Sequence, residues 1–217
     1  MSDPSRRAPA ATDAPAAWTF FRQWLKNPRG MAAFSPSGRQ LAQQMVAQLP
    51  PGTRRVVELG GGTGAFTRAM LDAGIAPEDL MVLELNGELA QFLKQRFPDA
   101  RVINGDACDL PAIVESAGFD AGGGVDAVVS GLGFLAMSRS LQQSILRGIF
   151  AVLAPERPLI QFTYGPSNPL PRDLLGELGL SVRRASIAWF NVPPATVYVY
   201  TRNRSTPIRA VRAGDPR

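Results

Sequence analysis

The run Arg54-Arg55-Val56-Val57-Glu58-Leu59-Gly60-Gly61-Gly62-Thr63-Gly64-Ala65-Phe66 constrains this chain more than any other stretch. An apolar segment ends in a glycine cluster and then becomes compatible with a helix, which predicts strand, tight turn and helix. Val56, Val57 and Leu59 suit a buried strand, and glycines at 60, 62 and 64 permit left-handed backbone and close approach to a ligand. Such a turn receives a nucleotide-like ligand. The next strand-like run, Leu80-Met81-Val82-Leu83-Glu84, ends in a carboxylate about 20 residues after the turn, where an acceptor for two ribose hydroxyls is expected. Glu84 is therefore the candidate ribose ligand.

The glycines alone admit two cofactor classes. Gly60-x-Gly62-x-x-Ala65 satisfies the dinucleotide fingerprint. Glu58-x-Gly60-x-Gly62-x-Gly64 equally resembles the first motif of the class I S-adenosylmethionine-dependent methyltransferases. A short-chain dehydrogenase would carry a Tyr-x-x-x-Lys pair, but the lysines are Lys26 and Lys94 and no tyrosine precedes either at that spacing, which disfavours hydride transfer. Asn104-Gly105-Asp106-Ala107 is similar to the methyltransferase segment whose acidic residue meets the adenine amino group, and Ser130-Gly131-Leu132 ends a fourth strand. The resemblance implies S-adenosylmethionine as cofactor and S-adenosylhomocysteine as product. It implies Glu58 at the methionine amino end, Gly60, Gly62 and Gly64 beneath the cofactor, and Glu84 on the ribose. Asp106 and Ala107 then hold adenine, and Ser130 completes the cofactor set.

A chain of 217 residues with 45% apolar composition is long enough for one α/β domain and short for two. No run of about 18 apolar residues and no signal-like N-terminus is present, so the chain is expected neither to span a membrane nor to be secreted. Cys108 is the sole cysteine and histidine is absent, which rules out an intrachain disulfide and the usual zinc sites and fits a reducing cytoplasm. The net charge of +5 favours anionic partners; phospholipid headgroups and nucleic acid both suit arginine's planar fork, although genome composition alone also produces a basic excess.

Residues 1–16 have no apolar period and read as a disordered leader. From 17 to 27 the pattern changes: Trp18, Phe20, Phe21, Trp24 and Leu25 fall on one half of a helical wheel, with Arg22 and Lys26 on the other. Aromatic rings opposite cations suit a helix lying in a membrane interface; the competing reading is a helix packed on the domain. Asn27-Pro28-Arg29-Gly30 breaks it, and a second helix is expected over 37–49. Helices near 64–73, 87–97, 138–153 and 171–178 then alternate with strands near 54–59, 80–84, 101–103, 125–130 and 158–163, which predicts a doubly wound, mostly parallel sheet. Residues 180–189 and 196–201 read as a closing antiparallel pair, and 118–124 as a flexible connector.

Phe20 to Pro28, Ser35-Pro36-Ser37, the glycine motif, Gln161-Phe162-Thr163-Tyr164-Gly165-Pro166 and Asn191-Val192-Pro193-Pro194-Ala195-Thr196-Val197-Tyr198 together resemble bacterial phospholipid N-methyltransferases. The resemblance spans about residues 17 to 201. Ornithine-lipid methyltransferases look like close relatives and ribosomal-RNA adenine dimethyltransferases like distant ones. It implies a Rossmann-like α/β fold with a seven-stranded sheet, over which N-terminal amphipathic helices (17–50) precede a cofactor-binding domain (51–201) and a basic tail (202–217). It further implies a peripheral enzyme on the inner face of the cytoplasmic membrane, methylating phosphatidylethanolamine toward phosphatidylcholine, with an anionic phospholipid membrane as partner and neither nucleic acid nor metal expected.

Methyl transfer to an amine needs an unprotonated nitrogen held in line, so positioning and water exclusion carry most of the rate. Tyr164, just beyond the fifth strand, is the candidate to orient the amine or accept its proton through water; a packing role is the alternative. Ser37, Arg39, Phe134 and Arg183 complete the candidate substrate set, with Arg172, Trp189 and Phe190 nearby by position and Tyr198 assigned to the core. A base methyltransferase presents Asn or Asp, two prolines and an aromatic after the fourth strand; here the segment reads Ser130-Gly131-Leu132-Gly133-Phe134, which argues against a planar base. A soluble small-amine methyltransferase and a non-catalytic membrane-binding module remain open.

Overall fold

The computed structural model describes residues 36–120, 122–189, 191 and 194–203. The aromatic segment with Trp18, Phe20, Phe21, Arg22, Trp24, Leu25 and Lys26 lies outside them, as do Phe190 and residues 204–217.

Seven strands, β1 (Val56–Leu59), β2 (Leu80–Glu84), β3 (Arg101–Asn104), β4 (Ala127–Ser130), β5 (Leu159–Tyr164), β6 (Leu180–Ala188) and β7 (Ala195–Arg202), form one sheet in the order β3-β2-β1-β4-β5-β7-β6. The first five are parallel, and β7 runs antiparallel to both β5 and β6. The helices are α1 (Pro36–Val46), α2 (Ala65–Asp72), α3 (Gly87–Arg96), α4 (Leu110–Ser116), α5 (Arg139–Val152) and α6 (Arg172–Glu177).

Strand alternation divides the core in two. Val57, Leu59, Met81, Leu83 and Val128 join a cluster with α4 and α5, whereas Val56, Leu80, Val82, Ala127 and Val129 join one with α1, α2 and α3. Because both faces are covered, β1, β2 and β4 are buried throughout and read in sequence as mostly apolar runs, with Glu58 the one polar residue inside a strand and Glu84 and Ser130 at strand ends. Local chemistry sets the ends of the elements. α3 starts at Asn86, whose side chain accepts from the N–H groups of Glu88 and Leu89, and Lys94 and Arg96 sit in its last turn against the helix dipole. Ser138 caps α5 by accepting from Leu141 N–H at 3.3 Å.

The expected elements recur with shifted ends. β1 starts at Val56 rather than 54 because the N–H groups of Arg54 and Arg55 both donate to Asp126 Oδ2, at 2.9 and 3.1 Å, instead of joining the ladder. β4 starts at Ala127 because Val125 bridges Leu153 in isolation. The short helix α4, with Pro111 in its first turn, was not anticipated from the sequence. The connector before β4 is pinned by Arg55 Nη1 donating to Asp120 O at 2.6 Å. With β7 inserted antiparallel, the β6–β7 turn returns to the carboxyl edge of the parallel strands, beside the end of β5.

Candidate functional site

The strand order reverses between β1 and β4, and in an open α/β sheet the crevice outside the carboxyl ends at that point is where ligands bind. A cleft of about 640 Å³ lies there, with Gly60, Gly62, Glu84, Asp106 and Ala107 along one side. Leu85, Leu89, Met137, Leu141 and Ile145 give it apolar surface able to take the faces of a planar ring.

Glu84 ends β2 only 8% exposed. Its Oε2 accepts from Gly62 N–H and its Oε1 from Asn86 N–H, both at 2.9 Å. Each carboxylate oxygen retains a further lone pair, so the group is fixed in place and still able to accept two hydroxyls. Asn104 steadies the backbone behind it, donating to the carbonyls of Glu84 and Leu85 at 2.8 and 2.9 Å. Asp106 spends Oδ1 on Cys108 N–H at 2.8 Å and keeps Oδ2 for an amino group. This donor and acceptor set fits an adenosine moiety: a held carboxylate for the ribose, a free carboxylate oxygen, and apolar walls.

Other expected cofactor residues stand elsewhere. Gly64 does not line the cleft; it has φ 82°, and a Cβ there would lie 2.4 Å from the Phe97 ring, so its task is to let α2 close on α3. Ser130 is fully buried, its hydroxyl accepting from Leu132 N–H at 3.2 Å, and the wall at that point is Gly131, Leu132 and Gly133 instead. Glu58 is fully buried beneath the turn, on the α2 side of the sheet. Its Oε2 accepts from Thr67 Oγ1 at 2.6 Å, and its Oε1 has no partner. Burial pushes this carboxyl up to about 8.

A second, smaller chamber of about 80 Å³ adjoins the cleft on that same side. Gly60 and Gly131 line both cavities, so the two meet where β1 and β4 end. Its walls are Gly38 and Leu41 of α1, Thr63 and Phe66 after the glycine turn, Phe162 and Tyr164 of β5, and Asn191 of the β6–β7 turn. Phe66 meets Phe162 edge-to-face at 5.6 Å, and Phe162 meets Tyr164 likewise at 5.5 Å. Burial raises the Tyr164 phenol above its ordinary value, so it stays protonated near neutral pH.

The expected substrate residues divide. Tyr164 lines the chamber, and Ser37 precedes Gly38 in the first turn of α1. Arg39 is exposed on α1. Phe134 is 1% exposed within the α4–α5 core, with its carbonyl taken by Gln142 Nε2 at 2.8 Å, which removes it from any pocket. Arg183 lies in the first half of β6, opposite Val199, and donates to Gln48 Oε1 at 3.1 Å, away from the carboxyl edge. Trp189 is 69% exposed at that edge, and Tyr198 is in the core, donating to Pro166 O at 2.6 Å. Phe66, Phe162, Asn191 and the positioning amide Gln161, which donates to Leu132 O at 2.9 Å, were missed as site residues. Each lies in a segment that the sequence marks, Phe66 at the end of the glycine-bearing run and the others in the runs 161–166 and 191–198, with no side-chain role attached.

Residues 56–156 match the family model of a methyltransferase domain. The ornithine lipid N-methyltransferase of Singulisphaera acidiphila is 32% identical over 151 residues, covering 68% of this chain and 77% of that protein. The ribosomal RNA small subunit methyltransferase A of Maridesulfovibrio salexigens is 42% identical over 52 residues, 24% of this chain and 19% of that one. Among solved structures, a glycopeptide N-methyltransferase complexed with S-adenosylmethionine shares the fold with a TM-score of 0.57 at 14% identity, covering 80% of this chain and 98% of that one. The magnesium protoporphyrin IX methyltransferase of Synechocystis PCC 6803 with bound S-adenosylmethionine does so with a TM-score of 0.58 at 14% identity, covering 89% and 100%. With a relative 32% identical over 77% of its length, a matching domain and a cleft that fits adenosine, the chain belongs to the class I S-adenosylmethionine-dependent methyltransferases, and S-adenosylmethionine is its cofactor.

Proposed function

We propose that this methyltransferase acts on the amine of a membrane phospholipid, carrying phosphatidylethanolamine and its methylated intermediates toward phosphatidylcholine. The observation that carries the reading is the uncharged, aromatic-edged chamber joined to the cofactor cleft at Gly60 and Gly131. Aromatic faces receive alkylated ammonium groups, and the lack of a carboxylate among the described residues of the lining favours a neutral amine over its conjugate acid.

In this reading Glu84 takes the ribose hydroxyls and Asp106 and Ala107 the adenine edge, while Glu58, buried beneath the glycine turn and lining neither cavity, ties β1 to α2 through Thr67 instead of meeting the methionine end. When bound, S-adenosylmethionine supplies a sulfonium methyl group, which an amine lone pair takes up as the carbon–sulfur electron pair returns to sulfur. The chain's own contribution is to exclude water, hold the nitrogen beside Gly60 and Gly131, and let the ammonium proton leave before transfer. Tyr164, held protonated by burial, serves as a hydrogen-bonding and packing group rather than as a phenolate base.

Membrane docking is part of the proposal. Among the described residues no helix is long and apolar enough to cross a membrane. Leu85, Leu135, Leu141 and Trp189, four of the five exposed large apolar side chains among the described residues, sit on the carboxyl side of the sheet, where both cavities open. With the aromatic face of residues 17–27, they would seat the enzyme peripherally on the inner leaflet. The ornithine lipid N-methyltransferase relative favours a second reading, a lipid whose headgroup is ornithine. Incubation with radiolabelled methyl donor and vesicles of phosphatidylethanolamine or of ornithine lipid, with RNA as control, separates these. Label in phosphatidylethanolamine is expected; label in ornithine lipid alone selects the second reading, and label in RNA alone overturns both.

A further inference from the structure

We propose that Asn191 forms an amine-recognition subsite that reads the number of N–H bonds left on the substrate nitrogen; this rests on the lipid-amine reading above and deepens it. Five buried side-chain oxygens among the described residues have no hydrogen-bond partner, and of these only Asn191 Oδ1 belongs to a residue lining the chamber. Asn191 is 6% exposed. A buried amide oxygen without a partner is unfavourable, so its persistence points to a donor arriving from outside the chain.

The surrounding turn holds Asn191 in place. Its own N–H reaches back to Ala188 O at 3.4 Å, while beyond it Pro194 O accepts from Gly165 N–H at 2.9 Å and Thr196 Oγ1 donates to Gly165 O at 2.7 Å. These last two bonds tie the turn to the end of β5, which carries Tyr164. Phe66 and Phe162, in the same lining, offer no competing acceptor, and the only other side-chain acceptors among the described lining residues are the hydroxyls of Thr63 and Tyr164.

The chemistry of an amide oxygen suits this position. It accepts an N–H without being basic enough to keep the proton, so the nitrogen's lone pair stays free for the methyl group. A carboxylate in its place would stabilise the ammonium and block the reaction. A neutral primary amine offers two N–H bonds and a monomethylated amine one. A neutral dimethylated amine offers none and leaves Asn191 Oδ1 buried and unmatched. Asn191 therefore assists the first two transfers and works against the third.

The test uses the full-length chain with vesicles of phosphatidylethanolamine, its monomethyl form or its dimethyl form, and with ornithine lipid as a separate amine source. Asn191→Ala is expected to lower kcat/KM about tenfold or more for the unmethylated and monomethyl lipids while leaving the dimethyl lipid unchanged or faster. Calorimetric affinity for S-adenosylmethionine and the melting temperature are expected to stay at wild-type values. An equal loss on all three lipids overturns the subsite. If Asn191→Ala does not fold, Asn191→Asp carries the test: its carboxylate holds the ammonium, so its pH–kcat profile on phosphatidylethanolamine is expected to shift to higher pH, and an unshifted profile overturns the proposal. Wild-type protein that methylates no amine lipid from either source overturns instead the reading on which the subsite rests.

Discussion

The cofactor cleft and the smaller chamber share Gly60 and Gly131 yet are built from different materials. The cleft relies on carboxylates and backbone: Glu84 is tied to two N–H groups, and Asp106 to a third. Among the described residues, the chamber is walled by Phe66, Phe162, Tyr164 and Leu41, with one buried amide at Asn191 and no charged residue. One cavity suits a polar ligand held by several hydrogen bonds, and the other a small alkylated group held by exclusion of water. The contrast teaches how one sheet edge handles both: the ends of β2 and β3 bring carboxylates, whereas the end of β5 brings aromatic rings and the β6–β7 turn a single amide among the described residues.

The largest effect should come from the polar side. Glu84→Ala removes the acceptor for the ribose and leaves the N–H groups of Gly62 and Asn86 without their partner, and bonds to charged groups contribute roughly 1.5–3 kcal/mol each. Calorimetry should show affinity for S-adenosylmethionine falling about a hundredfold. Near-wild-type affinity would mean that the cleft does not hold the ribose at Glu84. Gly64→Ala should behave differently although it belongs to the same motif. Its Cβ would lie 2.4 Å from Phe97 at a left-handed backbone, so stability should drop by roughly 3 kcal/mol in denaturant titration. Cofactor affinity of the folded fraction should change far less than in Glu84→Ala.

That divergence within one motif marks what the sequence could disclose. Glycines and strand-end carboxylates recur at fixed intervals in a strand–turn–helix unit, so Gly60, Gly62, Glu84 and Asp106 were legible from spacing, as were the sheet and its antiparallel closure. Spacing does not say which way a residue faces. Ser130 continues the face of Val128 into the core, and Phe134, of the right type for a pocket, is enclosed by α4 and α5. The chamber was the least legible part because it is non-local. Leu41, Phe66, Phe162 and Asn191 come from four segments that meet only once the sheet is assembled; the first three carry no local signal beyond an apolar helix or strand position, and Asn191 none beyond a turn residue before two prolines. Helix α4 escaped because seven residues behind a proline show too little periodicity.

Glu58 lies beneath the glycine turn, lining neither region, and its effect should appear in stability and not in binding. Its carboxyl titrates near 8 when buried, against 4.5 for the free side chain, so the folded protein holds a proton that the unfolded chain releases between those values. This contribution to stability is present below about pH 4.5 and is lost as pH rises toward 8. Glu58→Gln cannot ionise and should flatten the decline across that window, by up to about 1.4 kcal/mol per pH unit. Melting temperatures of both proteins from pH 5 to 8.5 would show it. Parallel curves would mean that Glu58 is already ionised in the folded state.

The smallest effect concerns Tyr164, where the two regions make opposite forecasts. If the chamber worked by polar chemistry, as the cleft does, the phenol would serve as a base, and losing a general base typically costs about a hundredfold or more in rate along with one limb of the pH profile. Burial instead keeps the phenol protonated, and its ring meets Phe162 edge-to-face at 5.5 Å. Tyr164→Phe keeps that ring contact and removes only the hydroxyl. Turnover on the amine lipid should therefore fall less than about tenfold, with the shape of the pH profile retained. Arg183→Ala, on the far half of β6 and bonded only to Gln48, supplies the reference and should leave turnover unchanged. A Tyr164→Phe enzyme that loses the alkaline dependence of its rate would transfer the chamber to the polar side of the comparison, because a group titrating in the site would then govern the amine.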